Sequence, residues 1–173
     1  RSWPGAANEK DRRGMTPVYH ALQYQASSDV ILALLRSWPG AANEKDRRGM
    51  TPVYHALQYQ ASSDVILALL SIWPDAAKEK DHRGMTPFYH ALRYQPSSDV
   101  ILALLRSWPG AAKEKYEDCM TPVHLACQYR ASSDVVLALL GSWPDAAKEK
   151  DHRGMTPFYH ALRYQPSSDV ILA

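Results

Sequence analysis

Three sets of side chains in this sequence are of the types that do chemistry. The first is a histidine, a serine and an aspartate in each repeated segment, as at His20, Ser28 and Asp29. Those types make a nucleophilic site when a base takes the hydroxyl proton and a carboxylate orients the base. A catalytic site is one asymmetric place, however, and five copies of its residues serve no reaction. Ser28 and Asp29 also stand where a helix begins, as a hydroxyl at its start and a carboxylate in its first turn. The expectation is no catalytic residues and no enzyme. The second set is Cys119, His124 and Cys127, spaced C-x4-H-x2-C. Thiolates and imidazoles bind zinc, but structural zinc sites pair their ligands differently. Cys127 falls on an apolar helix face, where a small thiol packs, and Cys119 replaces a turn glycine. Neither a metal nor a cofactor is expected. The third set is Arg12, Arg13, Arg47, Arg48, Arg83 and Arg153, beside Tyr24, Tyr59, Tyr94, Tyr129 and Tyr164. A basic stripe with interleaved aromatics is a single-strand binder's pattern. The charge argues against it: residues 11–45 net +1, residues 116–150 net −2, and the whole chain +2. Nucleic acid is not the expected partner.

These residues recur because the sequence repeats itself. Residues 36–70 are identical to residues 1–35, and residues 141–173 match 71–105 at 31 of 33 positions. Residues 106–140 match 36–70 at 25 of 35. The period is 35 with no insertions, and a unit that small buries its apolar face only against a neighbour. A solenoid follows. Within one unit, Asp11-Arg12-Arg13-Gly14 reads as a turn, with the glycine free to take positive φ. Thr16-Pro17 opens a first helix, the hydroxyl capping and the proline at the first helical position. Val18, Ala21 and Leu22 share one face of it, and it runs to about Tyr24. Ala26, replaced by Pro96 and Pro166 in two units, breaks the chain. Ser27-Ser28-Asp29 then caps a second helix whose Val30, Ile31, Leu32, Leu34 and Leu35 are apolar nearly all round, as in a helix buried between others. Trp38-Pro39-Gly40 ends it, and residues 41–45 lead on as an extended turn.

Composition agrees with a packed protein: 173 residues, 46% hydrophobic and 22% charged. No apolar run approaches the ~20 residues of a membrane helix, so no membrane partner is expected. The N-terminus shows no signal pattern and two cysteines make no disulfide framework, so cytoplasmic, reducing surroundings are the default. The column Trp3, Trp38, Trp73, Trp108 and Trp143 is expected to cover the junctions between units, each indole N–H reaching a carbonyl.

The pattern Asp-x-x-Gly-x-Thr-Pro, an alanine five residues after the threonine, and Val-x-x-x-Leu-Leu beyond it resembles the ankyrin repeat. Thr121-Pro122-Val123-His124-Leu125-Ala126-Cys127 resembles it most. The likeness covers the whole chain, as units 11–45, 46–80, 81–115 and 116–150 with partial units at 1–10 and 151–173. The family's usual period is about 33. The two extra residues fall between the helices and near Trp38-Pro39. In four units a tyrosine (Tyr19, Tyr54, Tyr89, Tyr159) stands where the family has histidine, and a histidine follows it. The family's His–Thr hydrogen bond is therefore expected only in the fourth unit. The resemblance implies an all-α, ankyrin-like solenoid of stacked helix–loop–helix repeats.

It also implies a non-catalytic scaffold that binds protein through a concave groove lined by turn tips and the exposed side of the first helices. On this chain those positions are Arg12, Arg13, Met15, Gln23 and Tyr24; Arg47, Arg48, Met50, Gln58 and Tyr59; Arg83, Met85, Arg93 and Tyr94; Met120 and Tyr129; and Met155 and Tyr164. Arginine, methionine and tyrosine are enriched where interfaces carry energy. Five near-copies of one contact suit a repetitive target or another copy of the chain. Neither terminal segment carries a polar cap, and repeat arrays need caps. The chain is then either part of a longer array or joined end to end into an open filament. In the second case Trp3, Val18 and Leu22 would meet Val170, Ile171 and Leu172. The fourth unit stands apart, since Tyr116-Glu117-Asp118-Cys119 turns a basic tip acidic and loses its glycine.

Overall fold

A computed structural model describes residues 9–164, and every regular element in that span is helical. Contacts divide the chain into two compact units, Arg1–His90 and Ala91–Ala173. The first holds α1 (Pro17–Gln23), α2 (Ser28–Ser37), α3 (Pro52–Gln58) and α4 (Ser63–Ile72). Helix α5 (Pro87–Tyr94) contains the division, and the second unit continues with α6 (Ser98–Ser107), α7 (Pro122–Gln128), α8 (Ser133–Ser142) and α9 (Pro157–Tyr164).

The short first helices begin as their sequence dictates. Thr16 is the N-cap of α1 and its Oγ1 accepts the Tyr19 amide at 3.4 Å, while Pro17 supplies the fixed φ of the first turn. Their ends are more specific than a simple break. Tyr24 caps α1, Gln25 follows at φ 51°, the Gln25 amide bonds to the Leu22 carbonyl, and the Ala26 amide reaches the Ala21 carbonyl at 2.8 Å. That pair of bonds is a Schellman motif, with glutamine in the left-handed position that glycine usually fills. Pro96 has no amide to give. There the helix runs one residue longer, and a single Gln95 amide bond to the Ala91 carbonyl at 2.9 Å closes it.

Two expectations are corrected. The segment after the second helix is not extended: Pro39–Asn43, Pro74–Lys78, Pro109–Lys113 and Pro144–Lys148 are 3-10 turns. Proline suits their first position, and the small side chains of Ala41 and Ala42 let the middle of the turn be buried. Nor does the serine hydroxyl cap the second helix. Ser27, Ser62 and Ser132 occupy the N-cap without a side-chain cap bond. The Ser62 hydroxyl instead pairs with Ser28 of the preceding repeat at 2.8 Å, as Ser132 does with Ser98 at 2.9 Å.

Within each unit the repeats stack in parallel layers. α1 lies on α3 and α2 on α4; in the second unit α6 lies on α8 and α7 on α9. The core of the first unit is built from Val53, Ala56 and Leu57 of α3 and Val65, Ile66 and Leu69 of α4. Ala126, Val135 and Leu139 serve the second unit. Each fully buried valine, leucine or isoleucine contributes about 1.5–3 kcal/mol, which a lone repeat could not gather. This is the packing of an α-solenoid.

Candidate interaction surface

Each turn tip but the fourth is assembled by one aspartate. The Asp11 Oδ1 accepts the amides of Arg13 and Met15, both at 2.8 Å, and the Asp11 amide bonds back to the Met15 carbonyl. Gly14 turns the chain at φ +78°. The second carboxylate oxygen takes the Nε2 of a histidine on the following helix: Asp11–His20 and Asp46–His55 at 3.1 Å, Asp81–His90 and Asp151–His160 at 2.9 Å. The last three pairs are buried. Burial pushes the Asp151 carboxyl up, but the His160 bond and the Met155 and Arg153 amides outweigh it and hold it at about 2. Asp81 is lowered by the same kinds of partner against the same penalty. Burial also lowers the His55 pKa, overcoming the pull of Asp46. The Nδ1 atoms of His55 and His160 are buried without a hydrogen bond, which for His55 suits a neutral ring that donates only from Nε2. The histidines thus brace the tips. With Ser28 held by Ser62 and His20 by Asp11, the Ser–His–Asp set does not assemble into a triad.

The aspartates leave the arginines outside the turn, and Arg12, Arg13, Arg47, Arg48, Arg83 and Arg153 are all exposed. Successive tips are neighbours: a side chain at Gly14 would touch Arg47. Gln23, Gln58 and Arg93 are exposed on the first helices. Tyr24 is 76% exposed, whereas Tyr59, Tyr94, Tyr129 and Tyr164 are half-buried. Three of these tyrosines stack on the bracing histidines, His20–Tyr24, His55–Tyr59 and His160–Tyr164, with ring centroids 5.9–6.1 Å apart. In the first unit a cleft of about 290 Å³ opens beside Tyr59, between Gln25 and Ser28 of one repeat and Gln60 and Ser62 of the next.

Three of the five methionines are withdrawn from this surface. Met50, Met85 and Met120 are buried and Met15 and Met155 half-buried, and the backbone at Met50 and Met155 joins its repeat to the one before. The Tyr19 hydroxyl donates toward the Met50 carbonyl at 2.5 Å and the Glu44 carbonyl at 2.6 Å. In the fourth repeat His124 does that task from Nε2 to the Met155 carbonyl at 3.0 Å, while its Nδ1 meets the Thr121 hydroxyl at 2.8 Å. Tyrosine and histidine thus reach the same point of the next repeat. Burial raises the Tyr19 phenol and lowers His124, keeping both neutral. Val18 and Leu22, expected as end contacts, are also buried, because α1 turns them toward the next repeat. Trp3, Val170, Ile171 and Leu172 lie outside the described residues.

The fourth tip is a different turn. Glu117–Cys119 forms a short 3-10 turn in which Asp118 (φ 61°) and Cys119 (φ 59°) are both left-handed. The Asp118 carbonyl accepts the His152 amide at 2.9 Å, so the acidic tip holds the basic tip that follows it. Cys119 is an exposed thiol, whereas burial pushes Cys127 up to about 11. Trp38, Trp73, Trp108 and Trp143 are half-buried, and the indoles of Trp38 and Trp108 fold over their own turns. A Cβ at Gly40 would lie 2.9 Å from Trp38 Nε1, and at Gly110 2.7 Å from Trp108 Nε1. The expected indole-to-carbonyl bond is not among those of the described residues. No group of three or more potential metal ligands occurs among the described residues, and no helix there is long and apolar enough to cross a membrane.

No family model matches this sequence, and no curated protein does. The fold does have counterparts. It is similar to a chain in the solved complex of the predatory endopeptidase Bd0816 from Bdellovibrio bacteriovorus with the immunity protein Bd3460. The two share 21% identity and a TM-score of 0.68, over 95% of this chain and 82% of that one. The likeness is one of architecture. In all, 380 solved chains match, and such a likeness shows the fold, not what it binds.

Proposed function

We propose that the chain is a non-catalytic, ankyrin-like scaffold that binds a protein partner through its turn tips and the exposed side of its first helices. The carrying observation is the repeated tip. Its aspartate spends both oxygens on internal bonds, so the backbone that carries Arg47 and Arg48 is fixed while their side chains stand exposed. Exposed arginines beside tyrosines, on a backbone already fixed, are the residue types that carry interface energy. The ankyrin likeness rests on the threonine–proline cap and the His124–Thr121 bond. The similar chain lies in a complex of two proteins, which supports a protein partner here.

A photo-crosslinking amino acid at Arg48 or Gln58 should yield adducts with the partner, and one at Ala33, exposed on the second helix, should not. Reversing Arg47 and Arg48 to glutamate should then weaken the captured complex by roughly tenfold or more. Adducts formed chiefly from Ala33, or an affinity indifferent to the reversal, would reject this surface.

A further inference from the structure

We infer that the cleft beside Tyr59 binds the guanidinium group of an arginine side chain carried by a partner protein. The chain holds an example of that contact in its second unit. Residues 25 and 130 occupy the same place in their repeats, just after a first helix, and both are left-handed, Gln25 at φ 51° and Arg130 at φ 59°. The Arg130 Nε–H crosses to the following repeat and donates to the Tyr164 carbonyl at 2.5 Å, a charge-assisted bond. In the first unit Tyr59 takes the place of Tyr164, but the residue across from it is Gln25, which is shorter and neutral. There the cleft of about 290 Å³ lies open. Among the described residues no backbone amide is given to the Tyr59 carbonyl, one of the acceptors that a helix end leaves over.

The lining suits that ligand. None of its side chains is charged, and residues 21–35 and 56–70, which supply the two walls, hold the exposed carboxylates Asp29 and Asp64 and no lysine or arginine. A cation is therefore favoured there over an anion. Leu22 and Ile31 are buried and line the cleft with apolar surface, which the methylene stem of an arginine can cover. The Gln25 amide, the paired hydroxyls of Ser28 and Ser62 and the Tyr59 carbonyl offer acceptors for the several N–H groups of one planar guanidinium. The Tyr59 ring lies on His55, with centroids 5.9 Å apart and 14° between planes, so the wall is formed before a ligand arrives. The volume falls just short of the ~300–1,000 Å³ of pockets that enclose a whole small molecule, and it admits one side chain from the surface. Both walls belong to the first unit. None of the tip arginines takes part, so this site stands or falls apart from the tip surface.

The test is a titration of the isotope-labelled full chain, followed by amide NMR, with N-acetyl-arginine methylamide as the probe. Shifts should saturate and centre on Gln25, Ser28, Gln60 and Ser62. The citrulline analogue, which keeps the shape and loses the charge, should bind roughly tenfold more weakly. Gln25→Arg should fill the cleft from within, as Arg130 does at its own junction. Probe binding should then be lost, and the thermal midpoint should rise by about 2 °C. Gln25→Glu leaves the cleft open and should tighten the probe by roughly threefold. Both variants exchange an exposed side chain, and circular dichroism checks that both fold. Shifts centred on the turn tips, equal binding of the citrulline or lysine analogue, or undiminished binding by Gln25→Arg would each overturn the inference. So would free L-arginine binding more tightly than the capped residue, which would make the ligand a small molecule and not a partner's side chain.

Discussion

At the scale of single residues, the aspartate–histidine brace controls the tip and can be tested against the chain's own exception. Four repeats carry both partners; the fourth replaces both, with Tyr116 for the aspartate and Leu125 for the histidine. A lone replacement leaves a buried polar group without its partner, whereas a joint replacement does not. Asp46→Ala should cost about 1–3 kcal/mol by chemical denaturation, since the His55 ring and the Arg48 and Met50 amides all lose their acceptor. Asp46→Tyr with His55→Leu should cost less than the sum of its single changes by about 1 kcal/mol. Additive costs would show that the two residues are not coupled. Acid should weaken the fold in two stages. His55 and His124 have folded pKa values below the unfolded value of ~6.5, so the unfolded chain binds more protons there and stability falls as pH drops through that value. Asp81 and Asp151 are depressed below ~3.9, so their contribution persists above that pH and is lost as pH falls toward the folded values. Denaturation midpoints between pH 7 and about pH 2 measure both stages, and a flat curve from 7 to 5 would show that the two rings are not held neutral. Cys119→Gly should stabilise by about 1 kcal/mol, because glycine accepts φ 59° at no steric cost.

At the scale of elements, the sequence was legible wherever a residue has one job. Thr16-Pro17 caps and starts α1, and the apolar spacing places Val18 and Leu22 in the core. It was misleading wherever a residue does two. Ser62 looks like a helix cap but spends its hydroxyl on the preceding repeat, and Pro39-Gly40-Ala41-Ala42 looks like a stop but coils into a 3-10 turn. Met50 is of the type that lines interfaces, yet its carbonyl is the acceptor for Tyr19 and its side chain is buried. No local pattern encodes contacts that lie 31 or 34 residues apart. The helix ends allow a sharper check. Ala61→Pro should stay within about 1 kcal/mol of the parent despite losing the Ala61–Ala56 bond, because proline also restricts the unfolded chain. Pro96 shows the accommodation, with Gln95 already at φ 52° and α5 one residue longer. A loss above about 3 kcal/mol would mean that the 6→1 bond, and not the left-handed glutamine, holds the turn.

At the scale of the molecule, residues 1–35 and 36–70 are the same sequence in different surroundings. Any difference between them comes from neighbours alone, which makes this chain a direct measure of what stacking contributes. Val30 and Val65 have identical residues around them, the same helix and the same side chain. Val65 is fully buried because α4 packs on α2, whereas Val30 lies half in solvent. Removing two methyl groups from a sealed site costs about 2 kcal/mol, counting lost transfer energy and the cavity left behind. At a half-exposed site most of that surface was never taken from water, and the cost falls below about 0.5 kcal/mol. Val65→Ala should therefore lower the denaturation midpoint clearly, and Val30→Ala should barely move it, in dilute protein. Equal losses would mean that a repeat carries its stability within itself and that stacking adds little. An unequal pair, in a single chain with sequence held constant, would assign the difference to the neighbouring repeat.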